Sequence, residues 1–249
     1  MFTTQCNHDV VLIGLSYLVS VLGSFSALQL AVAIPAARND RDRWTSIALA
    51  GVAMGGGAIW SMHFIAMLAC RMDMPVTYGL WLTAASAIIG VVACMAGLGL
   101  AGKRGVFSYA RLTVAAVIMG LGVSGMHYSG MAAMVMPATT VYDTGLVAMS
   151  VAIGIVASAA ALWLAFNLRG MAQMMGSALV MGVAVCGMHY TGMAAASFVP
   201  NADGAMPAVG MVIGGEQLGL GIFAITCGML AVLYITNRVR ERQRAALSI

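Results

Sequence analysis

The sequence predicts an all-α membrane protein of seven transmembrane helices, one N-terminal helix followed by three repeated helical hairpins in a pseudo-threefold arrangement. Charged residues make up 8% of the chain and hydrophobic residues 61%, where an ordinary soluble domain carries about 25% charge. Mean hydropathy is +0.95. A soluble globule could not hide that much apolar surface. The second observation is a hexapeptide written three times: Met62-His63-Phe64-Ile65-Ala66-Met67, Met126-His127-Tyr128-Ser129-Gly130-Met131 and Met188-His189-Tyr190-Thr191-Gly192-Met193. The third is the placement of the basic residues, which sorts the loops into two sides.

Apolar runs of about 20 residues mark spans. The first, Val10–Ile34, follows a segment with no basic cluster and is too long for a removable signal, so it is expected to remain a helix. The next six are Thr45–Ala69, Tyr78–Ala101, Leu112–Met136, Leu146–Phe166, Met171–Phe198 and Leu218–Thr236, with Asn201–Gln217 read as a Gly/Pro-containing loop. Pro35, Pro75, Pro137, Pro200 and Pro207 fall at or beyond these ends, so no span needs a proline kink. Trp44, Trp81 and Trp163 fall near the interfaces, where amphipathic rings collect.

Arg38, Arg41, Arg43, Lys103, Arg104, Arg111, Arg169, Arg238, Arg240, Arg242 and Arg244 lie on one side of this arrangement, leaving Arg71 alone on the other. The positive-inside rule puts the N-terminus outside and the C-terminus in the cytoplasm of a bacterial inner membrane. Asp9, Asp73, Asp143, Asp203 and Glu216 fall outside, in agreement. The net charge of +4 therefore belongs to the inner membrane surface and does not argue for nucleic acid. Cys94, Cys186 and Cys227 are intramembrane packing residues, whereas Cys6 and Cys70 share the oxidising side, where a disulfide is open to them but not dictated.

The motif histidines are 64 and 62 residues apart, and Tyr78 and Tyr142 keep the 64-residue offset. The repeating unit is thus a hairpin, with copies at about 45–101, 112–166 and 171–236, and the first span precedes the repeat. Two spans restore the chain's direction, so the copies run parallel. Gly56, Gly120 and Gly182 stand seven residues before each histidine, Ala66, Gly130 and Gly192 three after it, and Met67, Met131 and Met193 four after it. Those offsets share a helix face, and small residues there let helices approach closely. Each histidine falls about 10–15 Å below the outer boundary at 1.5 Å per residue.

One intramembrane histidine is ordinarily a hydrogen-bonded core residue, but three in one frame call for a shared ligand. His63, His127 and His189, with Met67, Met131 and Met193 nearby and His8 as a further ligand or lid, suit copper best, since imidazole and thioether favour Cu(I). Zinc is the rival and heme is more distant. Met62, Met126, Met188 and Cys6 are further candidates, and Tyr128 and Tyr190 suit hydrogen-bond donors behind the ligands. An incompletely filled metal would accept a diatomic gas, which crosses lipid freely. Gly55 to Gly57 serve helix packing, because no Walker-type lysine follows.

These hexapeptides, the seven spans and His8 near the outer N-terminus resemble the MHYT domain, a bacterial integral-membrane sensor module. The resemblance covers essentially the whole chain, 1–249, as one sensor domain; only the third copy spells Met-His-Tyr-Thr, and the first carries Phe64 and Ile65 instead. It implies a copper site near the outer surface that senses oxygen, carbon monoxide or nitric oxide. It also implies a cytoplasmic output, such as a diguanylate cyclase, a cyclic-di-GMP phosphodiesterase or a histidine kinase, joined through 237–249. The chain itself is then no enzyme.

Lys103 is the sole lysine and lies in an inner loop, which excludes a retinal Schiff base. A copper or other metal permease is the alternative. It would need ligands along the whole path, and the inner half offers no His, Asp or Glu, only Cys94 and scattered methionines such as Met171, Met174 and Met175.

Overall fold

The computed structural model describes residues 6–102, 108–167, 170–202 and 204–246; Lys103, Arg104, Arg169 and Asp203 lie outside the described residues. Helices α1 Val10–Ala36, α2 Asp40–Leu68, α3 Leu80–Ala101, α4 Tyr109–Ala132, α5 Thr144–Asn167 and α6 Met171–Ala194 are each long and apolar enough to cross a membrane. A seventh helix, α7 Gly215–Ala246, follows and contains the apolar run Leu218–Thr236. Val92, Val156 and Leu220 stand 56%, 69% and 70% exposed on the outside of the bundle, while Ser16, Ser86 and Ser150 are fully buried. Apolar residues facing out and hydroxyls facing in is the pattern of a lipid-embedded bundle.

Side chains cap the helix starts, where the first N–H groups lack intrahelical partners. Asp9 accepts from Val11 and Leu12 N–H, Asn39 from Asp42, Ser108 from Arg111 and Asp143 from Leu146. Near its end α1 passes through a turn at Val32 and resumes as Ala33–Ala36, because Pro35 has no N–H to give Ala31.

In space the helices form a closed ring in the order α2, α3, α4, α5, α6, α1 and back to α2. The repeat written in the sequence starts at α2, yet the ring position between α6 and α2 is filled by α1. Helix α7 lies outside the ring against α2 and α1.

One end of the ring carries short strands, where the sequence reading continued the helices through Met136 and Phe198 and began a span at Tyr78. Strand β1 Asn7–His8 pairs antiparallel with β2 Cys70–Arg71, β3 Thr77–Gly79 with β4 Met134–Val135, and β5 Ala138–Tyr142 with β6 Ala196–Pro200. Beside each pair one more backbone bond closes, from Asp9 N–H to Ala69, Gly79 to Ala133 and Asp143 to Ala195, all at 2.8 Å. The final carbonyls of α2, α4 and α6 would otherwise be unpaired, so a change to strand satisfies them where continued helix would not. The segment read as the loop Asn201–Gln217 also contains β7 Val212–Ile213, which pairs with β3, and the first turn of α7. Arg38, Arg41, Arg43 and Arg111 belong to the opposite end of the ring, where Arg43 donates to the Gly99 carbonyl at 2.6 Å, while Arg71 pairs with Asp9 at the strand end.

Within α2, Val52–Trp60 is a π-helix. A π segment inserts a residue without breaking the helix, and this shifts the register read from the sequence. A Cβ on Gly55 would come within 2.7 Å of Gly90 and Val91 backbone atoms, as one on Gly120 would come within 2.7 Å of the Ile155 backbone. Gly56 would meet only a Val91 methyl at 3.6 Å. Gly55, not Gly56, is therefore the counterpart of Gly120. Gly55→Ala is expected to destabilise the protein by about 1–3 kcal/mol, as overpacking does, and Gly56→Ala to leave thermal unfolding in detergent nearly unchanged. Equal shifts for both would refute the π register.

The N–H groups of Leu12 and Val11, with Arg71 beside them, hold the Asp9 carboxyl below its usual range. A depressed carboxylate stabilises the fold above its unfolded value near about 3.9 and loses that contribution as pH falls through the folded value. Amide-exchange protection at Asp9, normalised for intrinsic rate, should decline on acidification, and Asp9→Asn should abolish that dependence.

Candidate metal centre

Each motif histidine is placed five residues before the end of its helix, α2 at Leu68, α4 at Ala132 and α6 at Ala194. Because the three helices alternate with α3, α5 and α1 around the ring, their inner faces converge on its axis, about 7–8 Å from the strand end at 1.5 Å per residue. His63, His127 and His189 are each 1% exposed. Their rings lie 4.9, 5.0 and 5.2 Å apart between centroids. His63 Nδ1 stands 2.9 Å from His189 Nδ1 and 3.1 Å from His127 Nδ1.

Three neutral imidazoles cannot satisfy this arrangement by themselves. Each has one N–H and one bare nitrogen, so one Nδ1–H at most serves the other two, whose lone pairs then face each other. No Nε2 of the triad has a hydrogen-bond partner among the described residues. Each unsatisfied buried nitrogen costs about 1–3 kcal/mol. A shared cation would take all three Nδ1 lone pairs, each ring keeping its proton on Nε2. Bonds of about 2.0–2.1 Å in tetrahedral geometry separate ligand nitrogens by about 3.3 Å, a few tenths beyond the observed spacing. The donor set therefore fits a metal ion.

Glycine sets this closeness. A Cβ at Gly130 would collide with His63 Nε2, and one at Gly192 with His127 Nε2. His63 and His127 are thus each seated against the glycine three positions after the next motif histidine.

The aromatic residues after the histidines pack edge-on against them, Phe64 at 4.8 Å, Tyr128 at 4.7 Å and Tyr190 at 4.9 Å between centroids. Their hydroxyls reach away from the triad. Ser150 gives its proton to the Val147 carbonyl, so Tyr128 donates to Ser150 at 2.7 Å; Ser16 gives its proton to Ile13, so Tyr190 donates to Ser16 at 3.4 Å. Phe64 has no hydroxyl, and the Trp60 indole takes that place, donating to Ser86 Oγ at 3.1 Å. These serines were not singled out in the sequence. Ser86 and Ser150 carry the 64-residue offset that would have found them, but Ser16 precedes the sequence repeat.

His8 and Cys6 do not join the triad. His8 is exposed in β1, 6.1 Å from the Tyr190 ring between centroids, where Tyr78 faces Phe64 and Tyr142 faces Tyr128 in the other pairs. Its Nε2 lies 3.6 Å from Cys6 Sγ. Cys6 is bonded to Cys70 in a disulfide joining β1 to β2, so it offers no free thiolate. Burial pushes the Tyr78 hydroxyl well above its ordinary pKa, and that of Tyr142 in the same direction.

Met67, Met131 and Met193, one turn beyond the histidines, are 2%, 2% and 7% exposed. Met62, Met126 and Met188 are 1%, 1% and 3% exposed. Met126 packs 3.2 Å from where a Cβ on Gly90 would stand and Met188 3.6 Å from the same point on Gly154, a knob in a glycine hollow in both cases. Cys94 is buried, Cys186 half-buried and Cys227 exposed.

A ring of membrane helices around a buried three-histidine centre defines the class. The model of the MHYT family, the bacterial signalling protein N-terminal repeat, matches residues 56–115, 120–178 and 182–248, and the chain belongs to this family. It is similar to MucR of Pseudomonas aeruginosa, a bifunctional diguanylate cyclase/cyclic di-GMP phosphodiesterase, with 37% identity over 98% of this chain and 36% of that protein. The cyclic di-GMP phosphodiesterase NbdA of the same organism is 34% identical over 77% of this chain and 25% of its own length. The signaling protein YkoW of Bacillus subtilis is 31% identical over 77% and 24%. The chain thus spans between about a quarter and about a third of the relatives it matches. No solved structure matches it.

Gly130→Ala and Gly192→Ala are expected to displace the imidazoles and to lower metal affinity at least tenfold, read by competition with a chelator. Tyr128→Phe should instead cost about 0.5–1.5 kcal/mol of stability, the worth of one hydrogen bond, with metal affinity unchanged.

Proposed function

We propose that the chain is a membrane sensor domain whose His63, His127 and His189 hold one copper ion through Nδ1 and present it to a diatomic gas, oxygen, carbon monoxide or nitric oxide. The observation that carries this is the convergence of three buried Nδ1 atoms, of which one N–H at most can serve the other two lone pairs. Three neutral ligands in an apolar setting favour a soft monovalent ion, and thioethers one turn away strengthen that preference. Zinc with three histidines and an open fourth position is the competing occupant. Imidazoles in mutual contact leave no slot for a porphyrin. The metal when bound would supply the open coordination position; the protein holds the three ligands, excludes water and fixes their spacing.

In this reading the strand end faces outward, the basic end faces the cytoplasm, and Asn237–Arg244 continues α7 toward a cytoplasmic output region through 237–249. Cyclic-di-GMP turnover is the output that the names of MucR and NbdA suggest. His8 serves as part of the lid over Tyr190, and the lipid bilayer is the chain's principal surrounding.

Elemental analysis of protein purified without a polyhistidine tag should find copper, one equivalent of which the His63→Ala/His127→Ala/His189→Ala variant loses, with gas-induced spectral change lost too. Zinc in its place would overturn the copper assignment. The permease reading predicts saturable copper uptake into liposomes that the same variant abolishes; the sensor reading predicts binding without uptake.

A further inference from the structure

A second set of sulfur ligands lies deeper in the bundle, away from the strand end. The dipeptide Met-Gly recurs at Met54-Gly55, Met119-Gly120 and Met181-Gly182. Met119 and Met181 precede their histidines by eight residues and Met54 by nine, and the extra residue is the one that the π-helix of α2 absorbs. The same register that aligns Gly55 with Gly120 therefore brings the three methionines to one level, about 12 Å below the triad at 1.5 Å per residue.

All three line a single cavity of about 40 Å³ bounded by residues of α1, α2, α4, α5 and α6, with Met188 toward the triad and the exposed Ala160 and Val180 at its outer side. They are 1%, 1% and 4% exposed, so lipid does not reach them. The lining is otherwise apolar apart from Ser24 and Ser158. Ser24 Oγ is buried there with no hydrogen-bond partner among the described residues. Met119 Sδ lies against Gly97 of α3, where a Cβ would stand 2.9 Å from it, so a bound ion would draw this flexible thioether inward.

We propose that this cavity is a second, soft-metal site that takes a monovalent d¹⁰ ion, Cu(I) or Ag(I), through the thioethers of Met54, Met119 and Met181. A hard cation would need several oxygen ligands, and no carboxylate lines the cavity. Thioether sulfur selects Cu(I) among the available metals. The volume suits a single bare ion, and the free hydroxyl of Ser24 offers one further lone pair. The site is independent of the histidine reading and uses none of its ligands.

The test is titration of the purified full chain in nanodiscs with Cu(I) against a chromogenic chelator, with X-ray absorption to identify the ligand atoms. Wild type should bind two equivalents. Met54→Leu/Met119→Leu/Met181→Leu, a volume-conserving change that cores tolerate, should bind one, with its sulfur signal sharply reduced. The triple His→Ala variant should keep one equivalent with a sulfur-only shell. Wild-type stoichiometry in the Met→Leu variant, or a sulfur shell persisting there on exposed residues such as Met171, overturns the proposal. A His→Ala variant that retains both equivalents would instead refute the triad as a metal centre while leaving the methionine site standing.

Discussion

Three imidazoles whose ligand atoms lie within 4.8 Å of one another in an apolar bundle are the constraint around which the rest of this protein is arranged. Imidazole nitrogen is costly to bury unpaired, so helices that carry it inward must meet at one place and with little freedom. The glycines after His127 and His189 allow that meeting, since a methyl group there would occupy the space of a ring nitrogen. The hydrogen bonds from Tyr128, Tyr190 and Trp60 to serines of the adjacent helices fix the rotation of the helices. The strand pairs fix their height. Each device constrains a different coordinate of the same three rings.

The symmetry is threefold in its contacts but not in its sequence. The backbone bonds at Asp9, Gly79 and Asp143 are equal in length, and the three serines each give their proton to a carbonyl three residues back. Where the first copy departs, substitution elsewhere restores the function of the lost group. Phe64 lacks the hydroxyl, and the indole of Trp60 supplies a donor to the same kind of serine. Glycine is crowded in, and the π-helix turns α2 by one residue to keep its methionine and glycine in line with the other copies. Helix α1 completes the ring although its sequence shows no motif, because packing needs an apolar helix of the right direction and a start that pairs with the end of α2.

That ring leaves α7 outside it, touching α2 and α1. A Cβ on Gly57, within the π segment, would collide with Met229 of α7, so the helix that carries His63 and the helix that runs on into the basic Arg238–Arg244 stretch meet closely. A displacement of α2 relative to the ring would bear on that contact.

The membrane class, the seven helices and the three histidines were legible in the sequence, because burial in lipid demands long apolar runs and makes a repeated imidazole conspicuous. Gly130 and Gly192 against the imidazoles were legible too, from helical offsets alone, whereas Gly56 stood one position away from the true counterpart of Gly120. Helix ends at Ala132 and Ala194 were not, since the change to strand is decided by backbone partners from distant segments. The methionine level was hidden by a one-residue phase shift that only the π-helix explains, and Ser16 by lying in a helix that shares contacts but no motif. Cys6 and His8 show the same divide: their place near the outer N-terminus left Cys6 open as a further ligand or a disulfide partner of Cys70 and His8 as a ligand or lid, and the fold bonded the one to Cys70 and left the other exposed in β1. Local chemistry, read along the chain, determined which groups needed partners; the tertiary structure decided which partners they met, because those arrive through space and not along the sequence.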